Sequence, residues 1–276
     1  MRPRGYLQRL QYSQVLTPYS YTKADNSVVV ATDTQKQTTY ILAKQNPIDP
    51  PEQFAAIIGN HFINTYPHIH AAHVKIIQHR WTRMEIDGKP HPHSFYRDGD
   101  EIRVVEAVTR EGQGYSIRSK IEKLLVLKST GSAFHGFHRD EYTRLPETWD
   151  RILSTEIEAG WQWKQFKTLE EVKAVDFNGA WKVARDITLK IFAEDDSASV
   201  QATMYKMADN ILATVPQIEA VDYALPNKHY FEIGKLHQAQ AAKTQANILQ
   251  ICRGTRTSRT PARMRPSSLL SPTPMV

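Results

Sequence analysis

The chain has 276 residues, 41% apolar and 23% charged, which supports a sizeable core and excludes wholesale disorder. Its net charge of +6 would by itself suggest polyanionic partners. The excess lies at the ends, however: Arg2, Arg4 and Arg9 in 1–18, and Lys243, Arg253, Arg256, Arg259, Arg263 and Arg265 in 237–276, with no acid in either segment.

The 19–236 core is therefore slightly acidic. A single cysteine, Cys252, rules out an intrachain disulfide and a cysteine-based zinc site. No apolar run approaches the ~18 residues of a membrane span. The first 18 residues are basic and acid-free but lack a continuous apolar segment, so they are no secretory signal and only weakly suggest a transit peptide.

In chain order, Ser27–Ala31 (SVVVA) and Thr38–Ala43 (TTYILA) read as short paired strands rich in β-branched residues, with a polar turn from Asp33 to Gln37 between them. Asp49 can cap a helix that has Pro50 and Pro51 in its first positions. Phe54, Ile57, Ile58, His61, Phe62 and Tyr66 continue that helix at helical spacing to about Pro67.

Ala71–Met84 reads as a long strand, Asp87-Gly88 as a hairpin turn, and Pro90–Arg97 and Ile102–Val108 as further strands. Gly112 and Gly114 mark a break, after which a similar pattern resumes. Tyr115–Ile121 and Leu124–Lys128 are strand-like. Arg151–Trp163 suits a long strand, although Ile152, Leu153 and Ile157 also suit a helix.

Trp181–Phe192 is helical, and Ser197 or Ser199 caps a second helix with Val200, Met204, Met207 and Ile211 on one face. Ile218–Ala224 and His229–Ile233 close the pattern as strands. Two units of antiparallel strands with helices on one face predict an α+β fold. The units are 19–112 and 113–236, flanked by an N-terminal segment 1–18 and a disordered basic tail 237–276 in which a helix over Leu236–Cys252 is an option. No βαβ alternation or glycine-rich phosphate loop supports a nucleotide fold.

The histidines at 68, 70, 73, 79, 91 and 93 could supply metal ligands. With no HExxH and no cysteine pair, strand or interface histidines are the better explanation, and no metal is expected. On a strand, Asn227 and His229 share a face, joining an amide to a proton carrier. Thr32-Asp33 ends the first strand and is as well explained by a turn.

Arg151 and Gln201 can each grip the edge of a planar heterocycle, Gln201 from the first turn of a helix that also favours anions. The plain alternatives are an Arg151–Asp150 surface pair and an exposed glutamine. Phe134 could stack on a flat ligand or simply fill the core.

Taken together, SYTKADNSVVVATD (20–33), AKQNPIDPPEQF (43–54), HIHAAHVKIIQHRWTRMEIDGKPHPHSF (68–95), VLKSTGSAFHGFHRDEYTRLPETWDRILSTEI (126–157), WQWK (161–164), AEDDSASVQATMYKM (193–207) and ALPNKHYFEI (224–233) resemble the urate oxidase (uricase) family. The resemblance implies two tandem tunnelling-fold units, a homotetramer, and oxidation of urate by dioxygen to 5-hydroxyisourate and hydrogen peroxide without metal or organic cofactor. Carried over residue by residue, it implies that Arg151 and Gln201 grip urate, Val200 adds its N–H and Phe134 stacks on the ring. Thr32 and Asp33 would reach the same ligand across a subunit interface, Thr32 and Asn227 would hold dioxygen and later water, and His229 would shuttle protons with Thr32.

Two departures from the family stand at the ends. Residues 1–18 carry no match to the family's first strand, which the first unit therefore lacks, or to its relay lysine, implying an impaired oxidase. The alternative is an inactive purine-binding or assembly protein on the same fold. The closing SPTPMV is not a Ser-Lys-Leu signal, so the family's peroxisomal setting competes with a cytoplasmic one. A nucleic-acid or membrane-surface binder acting through the basic ends ranks below these, because the core is acidic and the tail lacks interleaved aromatics. A zinc-dependent pterin enzyme of related fold is a further rival. No nucleic-acid or membrane partner is expected.

Overall fold

The computed structural model describes residues 11–13, 18–230 and 262–264, with side chains from Ser20 to Tyr230. The expected disorder of 237–276 and the optional helix over Leu236–Cys252 lie outside the described residues, apart from the backbone of 262–264. The elements in order are β1 (Gln11–Ser13), α1 (Pro18–Lys23), α2 (Thr32–Gln45), α3 (Pro51–Thr65), β2 (Ala71–His79), β3 (Thr82–Ile86), β4 (Lys89–Tyr96), β5 (Ile102–Arg110) and β6 (Gly114–Lys128). Then follow β7 (Leu153–Trp163), α4 (Leu169–Lys173), α5 (Phe177–Glu194), α6 (Val200–Thr214), β8 (Ile218–Ala224), β9 (Asn227–Lys228) and β10 (Ala262–Met264).

One antiparallel sheet runs β1-β2-β5-β6-β7-β8-β10, with β9 on a second stretch of β7, while β3 and β4 form a separate hairpin. The turn of that hairpin is Asp87-Gly88, both at positive φ, as a two-residue turn matched to strand twist requires. The sheet passes without interruption through the expected break, because β5 and β6 pair from Ile102↔Glu122 to Arg110↔Gly114. Gly114 is required there: its φ is +83°, and a Cβ would lie 2.1 Å from the Phe166 carbonyl that accepts the Tyr115 N–H.

Helices pack on one face of the sheet. Phe54, Ala55, Ile58 and Phe62 form the buried stripe of α3, and Phe177, Ala184, Thr188 and Phe192 that of α5. Met207, Ala208 and Ile211 do the same on α6, whose N-cap is Ser199. The other face carries charge that is paired on the spot, with Glu106 between Lys75 and Lys120, and Arg118 against Asp222.

Strand β6 contains a bulge. Ile121 pairs with Ala159 and Leu124 with Ile157, so β6 spends one residue more than β7, and Lys123 takes a φ of 61°. The stretches 115–121 and 124–128, expected as separate strands, are one strand bent at this point.

The segment 1–18, expected to lack a first strand, contributes β1, paired antiparallel with β2 from Gln11↔Lys75 to Ser13↔His73. Four other expectations need correction. No strand forms over Ser27–Ala31 or Thr38–Ala43; Thr32–Gln45 is helical, because Thr39 and Leu42 bury one side and Asp33 and Lys36 pair along the other. The β-branched run suited a strand, and burial of one helical face overrode that propensity. Helix α3 starts after Pro50 rather than Asp49, whose carboxylate accepts from Asn178 Nδ2 instead. The long 71–84 strand breaks at Arg80-Trp81, where Arg80 turns to Asp98 and Glu101. At the far end, the final pairing is Asn227–Lys228 on β7 rather than His229–Ile233, of which 231–233 lie outside the described residues.

The halves are joined by a buried polar cluster. Arg103 on β5 donates to Glu52 on α3 through Nη2 at 2.6 Å and Nε at 3.2 Å, with Glu52 fully buried. Glu52 also accepts from Ser119 Oγ on β6 at 2.6 Å, and Ser119 Oγ accepts from Trp163 Nε1 on β7 at 2.9 Å. Arg103 reaches α5 through Asn178 Oδ1 at 2.7 Å.

Removing one partner of such a pair strands a charge in the core, at a cost of about 3–5 kcal/mol. Arg103→Met should therefore lower stability by that order, and the paired change Glu52→Gln with Arg103→Met should recover much of the loss. Urea unfolding midpoints measure both; a single variant as stable as the wild type would refute the assignment.

Candidate functional site

The connection from β6 to β7, residues 129–152, folds back on itself. Phe134 and Thr148 exchange backbone hydrogen bonds of 2.7 and 2.9 Å, and the Arg151 N–H donates to the Ser132 carbonyl at 2.8 Å. Asp150 does not pair with Arg151. Its carboxylate accepts from Thr130 Oγ1 at 2.6 Å and the Gly131 N–H at 2.9 Å, closing the mouth of the loop. Those two donors, Thr130 first, hold its carboxyl below the usual range.

This places the Arg151 guanidinium carbon 5.5 Å from the Phe134 ring centroid, within cation–π range. Phe134 stacks on Phe137 at 4.9 Å, and both are half-buried. Arg151 Nε is buried and has no hydrogen-bond acceptor among the described residues, nor has the buried Ser132 Oγ a partner. A buried guanidinium donor of this kind is suited to an acceptor from outside the chain.

Helix α6 is fastened to the same loop. Ser197 N–H donates to the Gly131 carbonyl at 3.0 Å, and the Ala133 N–H donates to the Ser197 carbonyl at 2.8 Å. Two residues on, Ser199 caps the helix and its hydroxyl donates to Gln201 Oε1 at 2.9 Å. Val200 and Gln201 are thus the first two helical residues, at the end where backbone N–H groups lack intrahelical acceptors and the dipole favours negative charge. The loop that carries Phe134 and Arg151 and the helix start that carries Val200 and Gln201 are thus joined at one corner through Ser197.

Asn227 and His229 lie beside the start of β7. Asn227 pairs with Thr155, whose hydroxyl donates to the Pro226 carbonyl at 3.0 Å, and Lys228 Nζ reaches Glu156 at 2.8 Å. Both Asn227 and His229 are exposed. Thr32 and Asp33 are not brought to this corner: they open α2, which packs against α3, and Asp33 pairs with Lys36 at 2.7 Å.

Sequence reasoning missed Ser132, Thr130 and the loop-closing role of Asp150, and offered Ser197 only as a candidate helix cap rather than as the bond between loop and helix. Only the polar run from Lys128 to Ser132 hinted at so tightly bonded a loop.

The histidines spread out. His70 pairs with Glu111 at 2.6 Å, and the His91 and His93 rings meet edge to face at 4.6 Å. Among the described residues, no group of three His, Cys, Asp or Glu converges as a metal site, and no helix is long and apolar enough to cross a membrane. A separate cavity of about 260 Å³ lies between His79, Trp81, Arg103 and Trp181, and none of the corner residues lines it.

A family model described as uricase matches residues 12–108 and 117–250, reaching past the motifs of 20–233 at both ends. Uricases of Emericella nidulans and Aspergillus flavus are each 64% identical over 216 residues, covering 78% of this chain and 72% of theirs. The crystal structure of the uricase from Arthrobacter globiformis has a TM-score of 0.77 at 32% identity, over 98% of this chain and 92% of that one.

If Asp150 holds the loop closed, Asp150→Ala should speed tryptic cleavage at Arg139 or Arg144 several-fold while Thr130→Ser leaves it near wild type. A limited-digestion time course followed by mass spectrometry reads this directly. Equal rates in all three proteins would show that the loop is held by other contacts.

Proposed function

The chain belongs to the uricase family, and from that premise we propose that it oxidises urate with dioxygen to 5-hydroxyisourate and hydrogen peroxide, with no metal or organic cofactor. The fold is that family's tunnelling fold, which we divide into units 19–112 and 113–236. The observation that carries the reading is the Arg151–Phe134 pair: a guanidinium above an aromatic ring, with its Nε buried and lacking an acceptor among the described residues.

Urate is a flat anion. It would stack on Phe134 and present acceptors to Arg151 and to the Val200 N–H, with the Gln201 amide on the same edge. Arg151 offsets the anion's charge, and a desolvated setting strengthens that contact.

The chemistry asks for a base and a dry, stacked pocket. Taking a further proton from urate eases transfer of two electrons from the ring to dioxygen. Dioxygen then leaves as hydrogen peroxide with two protons, and one water adds its oxygen to the ring. Asn227 with Thr32 would hold dioxygen and then water, and His229 with Thr32 would carry the protons.

Thr32 and Asp33 open an exposed helix start in a different part of the chain. That position fits their delivery to the site by a neighbouring subunit of a homotetramer. Residues 1–18 contain arginines and no lysine, which favours a second reading, a purine binder with slow or no turnover.

Loss of urate ultraviolet absorbance with stoichiometric peroxide, in chelator-treated buffer, tests the reaction. Arg151→Ala should raise KM for urate about 10–100-fold, the worth of a hydrogen bond to a charged group. A folded protein that neither consumes urate nor binds xanthine, which lacks the 8-oxo group, would overturn the proposal; xanthine binding without turnover would favour the second reading.

A further inference from the structure

Asp195 lies just past α5, at its C-cap. A carboxylate there is of the wrong sign for the helix it follows, because the C-terminal end of a helix favours cations. Its side chain is only 12% exposed and holds a dense set of donors. One oxygen accepts from Thr203 Oγ1 at 2.7 Å and the other from Lys206 Nζ, both on α6. Its main-chain carbonyl accepts from Lys128 Nζ, at the end of β6, at 2.5 Å. Burial pushes this carboxyl up, but the Lys206 and Thr203 hydrogen bonds outweigh it and hold the group below the usual range, in its charged form.

The buried Thr203 hydroxyl is the next link. It lies 2.8 Å from Ser197 Oγ and 3.3 Å from the Ser199 carbonyl. Ser197 is the residue whose backbone is bonded to Gly131 and Ala133, and the adjoining Ser132 carbonyl receives the Arg151 N–H. The helix carrying Thr203 also carries Val200 and Gln201 in its first turn. Asp195 therefore links β6, the first turn of α6 and the loop that presents Phe134 and Arg151. Ser199 already caps α6, so helix capping does not account for Asp195.

We infer that Asp195, acting through Thr203, is a positioning residue that sets the α6 N-terminus against Arg151 and Phe134, and so fixes the grip on a planar purine anion. This rests on the purine site proposed above. Asp195 itself need not touch the ligand. Its loss would loosen a contact made in ground state and transition state alike, which appears in KM with kcat largely kept.

The test uses the full chain with xanthine in calorimetry and urate in turnover. Asp195→Ala and Thr203→Val should each raise Kd for xanthine and KM for urate about tenfold, equivalent to about 1.4 kcal/mol, and Thr203→Ser should restore the wild-type values. Asp195→Ala combined with Gln201→Ala should be no weaker than the worse single variant by more than about twofold, since coupled sites are not additive. If Asp195→Ala does not fold, Asp195→Asn with the two Thr203 variants carries the same comparison.

A lowered melting temperature with unchanged Kd in the folded protein would reduce Asp195 to a structural role and overturn the inference. Xanthine binding that needs Arg151 but not Asp195 overturns this inference alone. Binding that is absent, or indifferent to Arg151→Ala, overturns the purine reading together with it.

Discussion

Glu52 carries a carboxylate at zero exposure in the first turn of α3, answered by Arg103 from β5, and much of the fold is arranged around that fact. A charge out of water needs nearly all its lone pairs filled. Here Arg103 and Ser119 fill them, and the guanidinium in turn takes Asn178 and the Phe177 carbonyl at the head of α5. The members come from both sides of the Gly112 turn. Helices α3 and α5 are thereby fixed on the sheet in register as well as by apolar burial, which alone would tolerate sliding.

The candidate site repeats this construction nearer the surface. Asp195 and Asp150 each accept two donors from one partner segment, Thr203 and Lys206 of α6 for Asp195 and Thr130 and Gly131 of the loop mouth for Asp150. Residues that would meet the ligand, Arg151 and Gln201, are left less engaged than the residues that hold them. A site of this kind is preorganised: its donors already stand in place, and little reordering is asked of a ligand. The charges on the opposite face of the sheet are instead neutralised in place by Glu106 and Asp222.

Most of the strands and the helices α3, α5 and α6 were legible in the sequence, because periodicity reports burial. The α3 stripe and the Asp87-Gly88 turn follow directly from residue type and spacing, and of the two cap candidates, Ser197 and Ser199, the helix uses Ser199. The region around Thr32 was not legible. VVVATDTQKQTTYIL is rich in β-branched residues, and only packing against α3 makes its second part a helix. Arg151, Phe134 and Gln201 could be named from residue type and Val200 from the family resemblance, and the loop that carries Phe134 and Arg151 is bonded to the segment that leads into α6. Asp150 and Asp195 could not be given their roles, since a carboxylate's partners 20 residues away in Thr130, or eight away across a helix start in Thr203, leave no periodic trace.

The bulge in β6 has a consequence for parity. Before it, odd-numbered residues face the helices: Tyr115, Ile117, Ser119 and Ile121 are buried. After Lys123 the even-numbered ones do: Leu124 is buried and Val126 packs on the core, while Leu125 and Leu127 are exposed. Lys128 inherits the inward side and so reaches Asp195 and the Phe192 ring. A strand alternates strictly, and one residue more or fewer inverts every side chain beyond it. The single inserted residue thus acts as a phase shift between the buried Ser119 cluster and the corner that holds Arg151. Ser119 and Lys128 of one strand can then address the same side of the sheet although they sit nine positions, an odd number, apart.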